Sequence, residues 1–214
     1  MTSLKTIILD FDGVVIESNS LKTQTFEKVF GRFPEYAAEM LRFHAANVSL
    51  SRYKKFDHLL ELLGRKHDQT LREDIAADFS QRMIEGMVTV PLVTGALGFL
   101  QTITAHLPIY LASVTPETEL RTILDQQKLA KWFAGIYGCP PWTKPAAIAD
   151  VLQRENLTAS DALLIGDSAG DQSAAILTGV SFLARNSGLQ FEEPYPRCFP
   201  DLDALSNYIE TTLL

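Results

Sequence analysis

Apolar residues recur along this chain in two rhythms, and the change between them divides it. From residue 18 to 88 they return every three or four positions, the period of an amphipathic helix. Leu71, Ile75, Phe79, Met83 and Met87 are each four apart, and Tyr53, Phe56, Leu59, Leu60 and Leu63 repeat at three and four. Leu21, Phe26, Val29 and Phe30 mark the buried side of a first helix, with Ser18 or Asn19 as its cap. Pro34 suits the first turn of a second helix ending near Ala46, Ser51 the cap of a third, and Gly64 its stop. Nothing in this stretch alternates like a strand, so it reads as one all-α block.

On either side of the block the rhythm is different. Ile7 to Leu9 is a short apolar run with β-branched residues, the composition of a strand covered on both faces. From Pro91 onward such runs alternate with helical segments. Strands are predicted at 108–114, 135–139, 162–166 and 181–184, and helices at 94–104, 116–127, 145–155, 170–177 and 202–212. Five strands with helices between the later ones imply βαβ crossovers and a mainly parallel sheet. The expected organisation is an α/β core of residues 1–16 and 89–214, interrupted by a helical domain at 17–88.

In such sheets chemistry gathers at the carboxyl ends of the strands. The first strand runs into Asp10, Phe11, Asp12 and Gly13; the second ends in Ser113, followed by Thr115. After the third comes GCPPWTK, leading to Lys144, and after the fourth GDSAGD, with Asp167 and Asp171. Only the last predicted strand ends without a reactive group. Each feature alone has an ordinary structural explanation: aspartates beside glycine make turns, Thr115 before a proline caps a helix, and a lysine is solvated. Their coincidence in one sheet points to chemistry instead. Asp10 and Asp12 are two apart, so in an extended strand both point to one side. At about 4 Å and an effective dielectric near 20, their repulsion costs roughly 4 kcal/mol, which calls for a compensating cation.

Composition narrows the partners. The chain has 214 residues and a formal net charge of −7, which disfavours non-specific binding to nucleic acid or anionic membrane. No apolar run approaches the length of a membrane span, and the amino terminus shows no signal-peptide pattern. Two cysteines, Cys139 and Cys198, fit free thiols in a reducing cytoplasm. No His/Cys cluster offers a zinc site.

The order carboxylates, hydroxyl, ammonium, carboxylates resembles the haloacid dehalogenase-like (HAD) superfamily, in its phosphatase branch with a helical cap. DFDGVV matches the first motif, Ser113 the second, Lys144 the third and GDSAGD the fourth, and the helical block matches the cap in position and size. The resemblance implies a Rossmann-like core and a Mg²⁺ ion held by Asp10, the backbone carbonyl of Asp12, Asp167 and, through ordered water, Asp171. It implies Asp10 as nucleophile, Asp12 as acid and base, Ser113 as a donor to the phosphoryl group and Lys144 as its charge partner. Four carboxylates with one Mg²⁺ and one lysine leave a charge of about −1 before substrate arrives, whereas without the metal a phosphate dianion would be repelled. Small Ala174 and Ala175 let the following helix pack close to the sheet. Asp12 argues for phosphoester chemistry, since the dehalogenases and phosphonate-cleaving members lack it.

In the cap, HAANVSLSRYKKF resembles a substrate-reading segment, with Leu50 where a glycine is expected. Arg52 is the first candidate contact for a substrate anion and Lys22 the second. His44 reads as structural, Lys54 and Lys55 as a solvated face, and Trp142 as either pocket wall or core. The expected substrate is a small phosphorylated metabolite, a sugar phosphate or phosphoglycolate. A β-phosphoglucomutase-like enzyme is the nearest alternative, helped by Val14 after the first motif. A receiver-like phospho-switch is the alternative outside enzymes.

Overall fold

The computed structural model describes residues 4–213. The chain forms two compact units, one built from the chain up to Glu17 and from Pro91 onward, the other from Ser18–Val90. Among the described residues, no helix is long and apolar enough to cross a membrane.

The first unit is a parallel sheet between helices. Its strands are β1 (Thr6–Leu9), β2 (Ile109–Ser113), β3 (Gly135–Gly138), β4 (Ala162–Gly166), β5 (Ser181–Arg185) and β6 (Cys198–Phe199). They lie in the order β3-β2-β1-β4-β5-β6, every neighbouring pair parallel. β1, β2 and β4 are buried at every position, which is why they read as unbroken apolar runs. The chain moves outward through β2 and β3, then returns to place β4 on the other side of β1. That reversal leaves a crevice at the carboxyl ends of β1 and β4, where Asp10 and Asp167 follow their strands.

The sheet has six strands rather than five. β6 is only two residues long and pairs with Ala184 and Arg185 of β5. Cys198 is exposed and Phe199 half-buried, so no apolar run announces it. β5 also continues one residue further than predicted, to Arg185. The core helices are described with the site they support.

The second unit contains α1 (Asn19–Phe30), α2 (Ala37–Ala46), α3 (Arg52–Leu62) and α4 (Gln69–Met87). Phe26, Phe30, Met40, Phe56, Leu59, Ile75, Phe79 and Met83 are buried in it, and the Phe26 and Phe79 rings lie 4.4 Å apart. Asp68 caps α4 by accepting from the Leu71 amide at 2.9 Å. Pro34 does not start α2. It stands in a tight turn closed by the Tyr36 amide on the Phe33 carbonyl, and the helix begins at Ala37. Ser18 and Ser51 occupy cap positions, but neither makes a side-chain capping bond.

Candidate active site

β1 ends at Leu9, one residue before the first aspartate. The Asp10 amide still donates to Ile165 of β4 at 2.9 Å. Beyond it the backbone coils tightly. The Phe11 carbonyl accepts from Val14, Val15 and Ile16, and Gly13 takes a φ of +74°, the left-handed region that glycine enters without strain. Val14, Val15 and Ile16 are fully buried, so the coil is anchored by apolar contacts as well as hydrogen bonds. Asp10 and Asp12 are therefore carried on a coil and not along one face of a strand.

Asp10 is buried beside Lys144, whose Nζ lies 2.9 Å from Oδ1. Oδ1 is buried and has no hydrogen-bond partner besides this ion pair. Burial raises the pKa of Asp10; Lys144 opposes the shift, while Asp171, Asp167 and Asp12 add to it. Burial also works against the Lys144 ammonium, but Asp10 and Asp171 outweigh it and hold that pKa above the usual lysine value. The local charge is thus in negative excess even with Lys144 counted.

α7 (Lys144–Arg154) presents Lys144 from its first turn, behind a Thr143 cap. α8 (Ala169–Thr178) begins with a reciprocal capping box between Ser168 and Asp171. Asp171 Oδ2 accepts from the amides of Asp167 and Ser168 and from the Ser168 hydroxyl, while Oδ1 pairs with Lys144. A Cβ on Gly166 would fall inside the Asp171 side chain, so only glycine lets the fourth strand pass this close. Ala174 and Ala175 are buried in the core cluster with Ile8, Leu164 and Ile148.

One carboxylate oxygen each from Asp10, Asp167 and Asp171 lie within 4.8 Å of one another, all three residues buried. Hard oxygen donors, an unsatisfied Asp10 oxygen and negative excess fit a Mg²⁺-like cation. Asp171 has most of its capacity spent on the capping box and on Lys144, so it braces the cluster.

Thr115 was not anticipated here. It does not cap α6 (Glu117–Gln126), whose cap position is Pro116. Its hydroxyl instead donates to Asp12 Oδ2 at 3.0 Å, and its amide donates to Ser113 Oγ at 3.1 Å. With that amide accepted, the Ser113 hydroxyl proton is left for another acceptor. β5, the last of the predicted strands, contributes too. Arg185 donates from Nη1 to the Gly13 carbonyl at 3.0 Å and forms a two-pronged pair with Glu17. The signal for it was the strand end itself, drawn one residue short.

The helical unit changes the reading of its cations. Arg52 and Lys55 are buried; Lys54 is exposed, and only it fits a solvated face. The Lys55 ammonium sits 2.9 Å from His44 Nδ1, because α3 turns that side chain inward against α1 and α2. His44 is buried and structural, its Nε2 3.3 Å from the Thr23 hydroxyl. Lys22, half-buried, lies in the first turn of α1. Trp142 packs edge-on against Tyr137, 5.1 Å between centroids, beside the edge strand β3.

Residues 7–185 match the family model described as haloacid dehalogenase-like hydrolase. The chain belongs to that family. A phosphoglycolate phosphatase of Pseudomonas syringae pv. tomato is 28% identical over 207 residues, covering 89% of this chain and 72% of its relative. A haloacid dehalogenase-like hydrolase from Streptococcus pneumoniae superposes with a TM-score of 0.75 at 21% identity, covering 97% of this chain and 100% of that one. A HAD-hydrolase from Bacillus subtilis, solved bound to magnesium, gives 0.71 at 18%, covering 97% and 99%. The family and its relatives make this HAD protein an enzyme of the phosphatase branch, which removes the receiver-like alternative.

Proposed function

We propose that this HAD protein is a Mg²⁺-dependent phosphatase that hydrolyses a small phosphorylated metabolite through an aspartyl-phosphate on Asp10. The observation that carries the reading is the state of Asp10. It is buried, 2.9 Å from an ammonium, with one oxygen that accepts no hydrogen bond. An unsolvated carboxylate oxygen beside a cation is suited to attack an electrophile.

Asp10, Asp167 and the Asp12 carbonyl would hold the metal, with Asp171 ordering its water. The ion would supply positive charge to the phosphoryl oxygens. In the first step an Asp10 oxygen bonds to phosphorus, the bond from phosphorus to the leaving oxygen breaks, and protonated Asp12 gives that oxygen its proton. In the second step Asp12 takes a proton from water, whose oxygen displaces Asp10 from phosphorus. Inorganic phosphate leaves and both aspartates return to their starting states. Ser113 donates to a phosphoryl oxygen, and Lys144 offsets the charge that collects there. Thr115 fixes one Asp12 oxygen and so orients the carboxyl group that handles the proton.

The substrate is a sugar phosphate or phosphoglycolate-like compound, and the Pseudomonas relative's name puts phosphoglycolate first for testing. Arg52 and Lys22 are the proposed contacts for the leaving group's anionic or polar atoms. The test is phosphate release from a panel of phosphorylated metabolites and a generic aryl phosphate, with Mg²⁺ and with chelator. Metal-dependent release that Asp12→Asn lowers by roughly 10²–10⁴-fold is expected. No metal-dependent release from any compound would sink the reading.

A further inference from the structure

β5 ends not in a reacting group but in a buried arginine, and that arginine reaches back to the coil after Asp12. Nε of Arg185 donates to the Pro200 carbonyl at 3.3 Å, which anchors the guanidinium to the chain beyond β6. Nη1 donates to the Gly13 carbonyl at 3.0 Å and, together with Nη2, forks onto the Glu17 carboxylate. Gly13 and Glu17 stand at the two ends of the coil, so Arg185 holds both ends at once. Its charge is matched by Glu17 in a bidentate pair. What it supplies to the site is therefore position rather than field.

The grip matters because of what the coil aligns. The Glu17 amide donates to the Pro91 carbonyl at 3.0 Å, and the Gly13 amide donates to the Ile16 carbonyl at 2.8 Å. Glu17 N–H and Ile16 C=O belong to one peptide unit; Gly13 N–H and Asp12 C=O belong to another. Both units are trans, so within each the two groups point in opposite directions. The result is a line that runs from the Pro91 carbonyl through the Ile16–Glu17 peptide and the Asp12–Gly13 peptide to the Asp12 carbonyl oxygen. Bridge pairings of Ile16 with Asp12 on one side and Leu92 on the other follow the same path. Peptide dipoles aligned head to tail polarise one another and make the last oxygen a stronger electron donor. Arg185 grips one residue in each of the two units.

We propose that Arg185 is a positioning residue for the metal site: by clamping Gly13 and Glu17 together it keeps this line aligned and sets the direction of the Asp12 carbonyl. The role rests on the Mg²⁺-dependent reading above, in which that carbonyl is a ligand beside Asp10 and Asp167. The buried carboxylate oxygens of Asp10, Asp167 and Asp171 already lie within 4.8 Å of one another, a donor set that fits a hard cation. A carboxylate keeps its net charge however it turns. A neutral carbonyl attracts a cation only along its dipole, so its contribution depends on the clamp. Loss of Arg185 is therefore felt first as metal affinity, for which an outer partner that orients a ligand is worth about 10–100-fold.

The test is the Mg²⁺ affinity of the full chain without substrate, measured by competition with Mn²⁺ and read by electron paramagnetic resonance. Arg185→Met is expected to raise the Mg²⁺ Kd about tenfold. Glu17→Gln, which leaves the Gly13 contact in place, should raise it less. Turnover gives a second readout: in Arg185→Met, kcat should return close to the wild-type value as Mg²⁺ is raised to saturation, with KM for the substrate little changed. A purely structural arginine would lower the denaturation midpoint and leave the Kd where it is, so an unchanged Kd in the folded variant overturns the role. A deficit in kcat that saturating Mg²⁺ does not relieve overturns it too, because the damage then lies in the Asp12 side chain. Should Arg185→Met not fold, Arg185→Lys, which has no planar fork for Glu17, carries the same expectations. A wild type that binds neither ion refutes the metal reading itself; a wild type that binds both, with variants that bind them equally, refutes the positioning role alone.

Discussion

Thr115 donates its hydroxyl hydrogen to Asp12 across 103 residues of sequence, at 3.0 Å between two buried side chains. The same residue donates its amide to Ser113 and accepts from the Cys139 amide at its carbonyl. Three strand-end loops therefore meet at one threonine. Thr115→Val keeps the shape and removes the donor. Asp12 then loses one of the groups that orient it, and kcat is expected to fall about tenfold, with KM little changed. Thr115→Ser, which keeps the hydroxyl, should recover most of the loss. Steady-state kinetics of the two variants decide it: equal activity in Thr115→Val and wild type would show that Asp12 is held by other means.

Gly166 is the second point where the geometry leaves no slack. A methyl group there collides with Asp171, whose carboxylate both starts α8 and pairs with Lys144. Gly166→Ala must displace either the strand or the acidic loop. A loss of roughly 1–3 kcal/mol in stability is expected, together with weaker Mg²⁺ binding, because the cluster of Asp10, Asp167 and Asp171 moves with the loop. Urea denaturation and a metal titration of the folded variant measure the two effects separately.

Arg185 gives a third prediction. Its Nη1 satisfies the Gly13 carbonyl, and its two-pronged pair with Glu17 ties the coil after Asp12 to the far side of the sheet. Arg185→Met leaves that carbonyl without its donor, at a cost of about 2 kcal/mol. Glu17→Gln keeps a partial acceptor and the Gly13 contact, so it should cost less. The order of the two denaturation midpoints is the check, and a larger loss in Glu17→Gln would put the weight on the ion pair.

What could be read from the sequence was set by local pattern. β1, β2 and β4 are buried on both faces, and their apolar runs stop within a residue of where the chemistry begins. Asp10, Ser113, Lys144 and Asp167 could be found because strand ends are found. β6 could not, since two residues held by β5 and half out of the core carry no period. Thr115 looked like a helix cap because a threonine before Pro116 is usually one; its actual partner is set by the register of β1 against β2, which no local window contains. Lys55 looked solvated for the same reason. The available warning was RYKKF at a helix start with no acid in the first turn, a pattern that opposes the helix dipole.

Lys55 also sets how stability depends on pH. Burial, followed by Lys22 and Arg52, lowers its pKa from 10.5 to about 7 in the folded chain. The unfolded chain keeps that proton up to about 10.5, so between the two values unfolding takes up a proton. Raising the pH through this window therefore favours the folded state, and below pH 7 the cost of the buried charge is fully present. His44 acts in the same direction lower down, between its folded value of about 4 and its ordinary 6.5, so the two windows do not overlap. At constant ionic strength, the contribution of Lys55 to the denaturation midpoint of wild type should climb from about pH 7 to about pH 10. Lys55→Met should begin higher at pH 7, climb less and meet wild type near the top of the window. Parallel profiles would mean that Lys55 keeps its proton in the fold across this window.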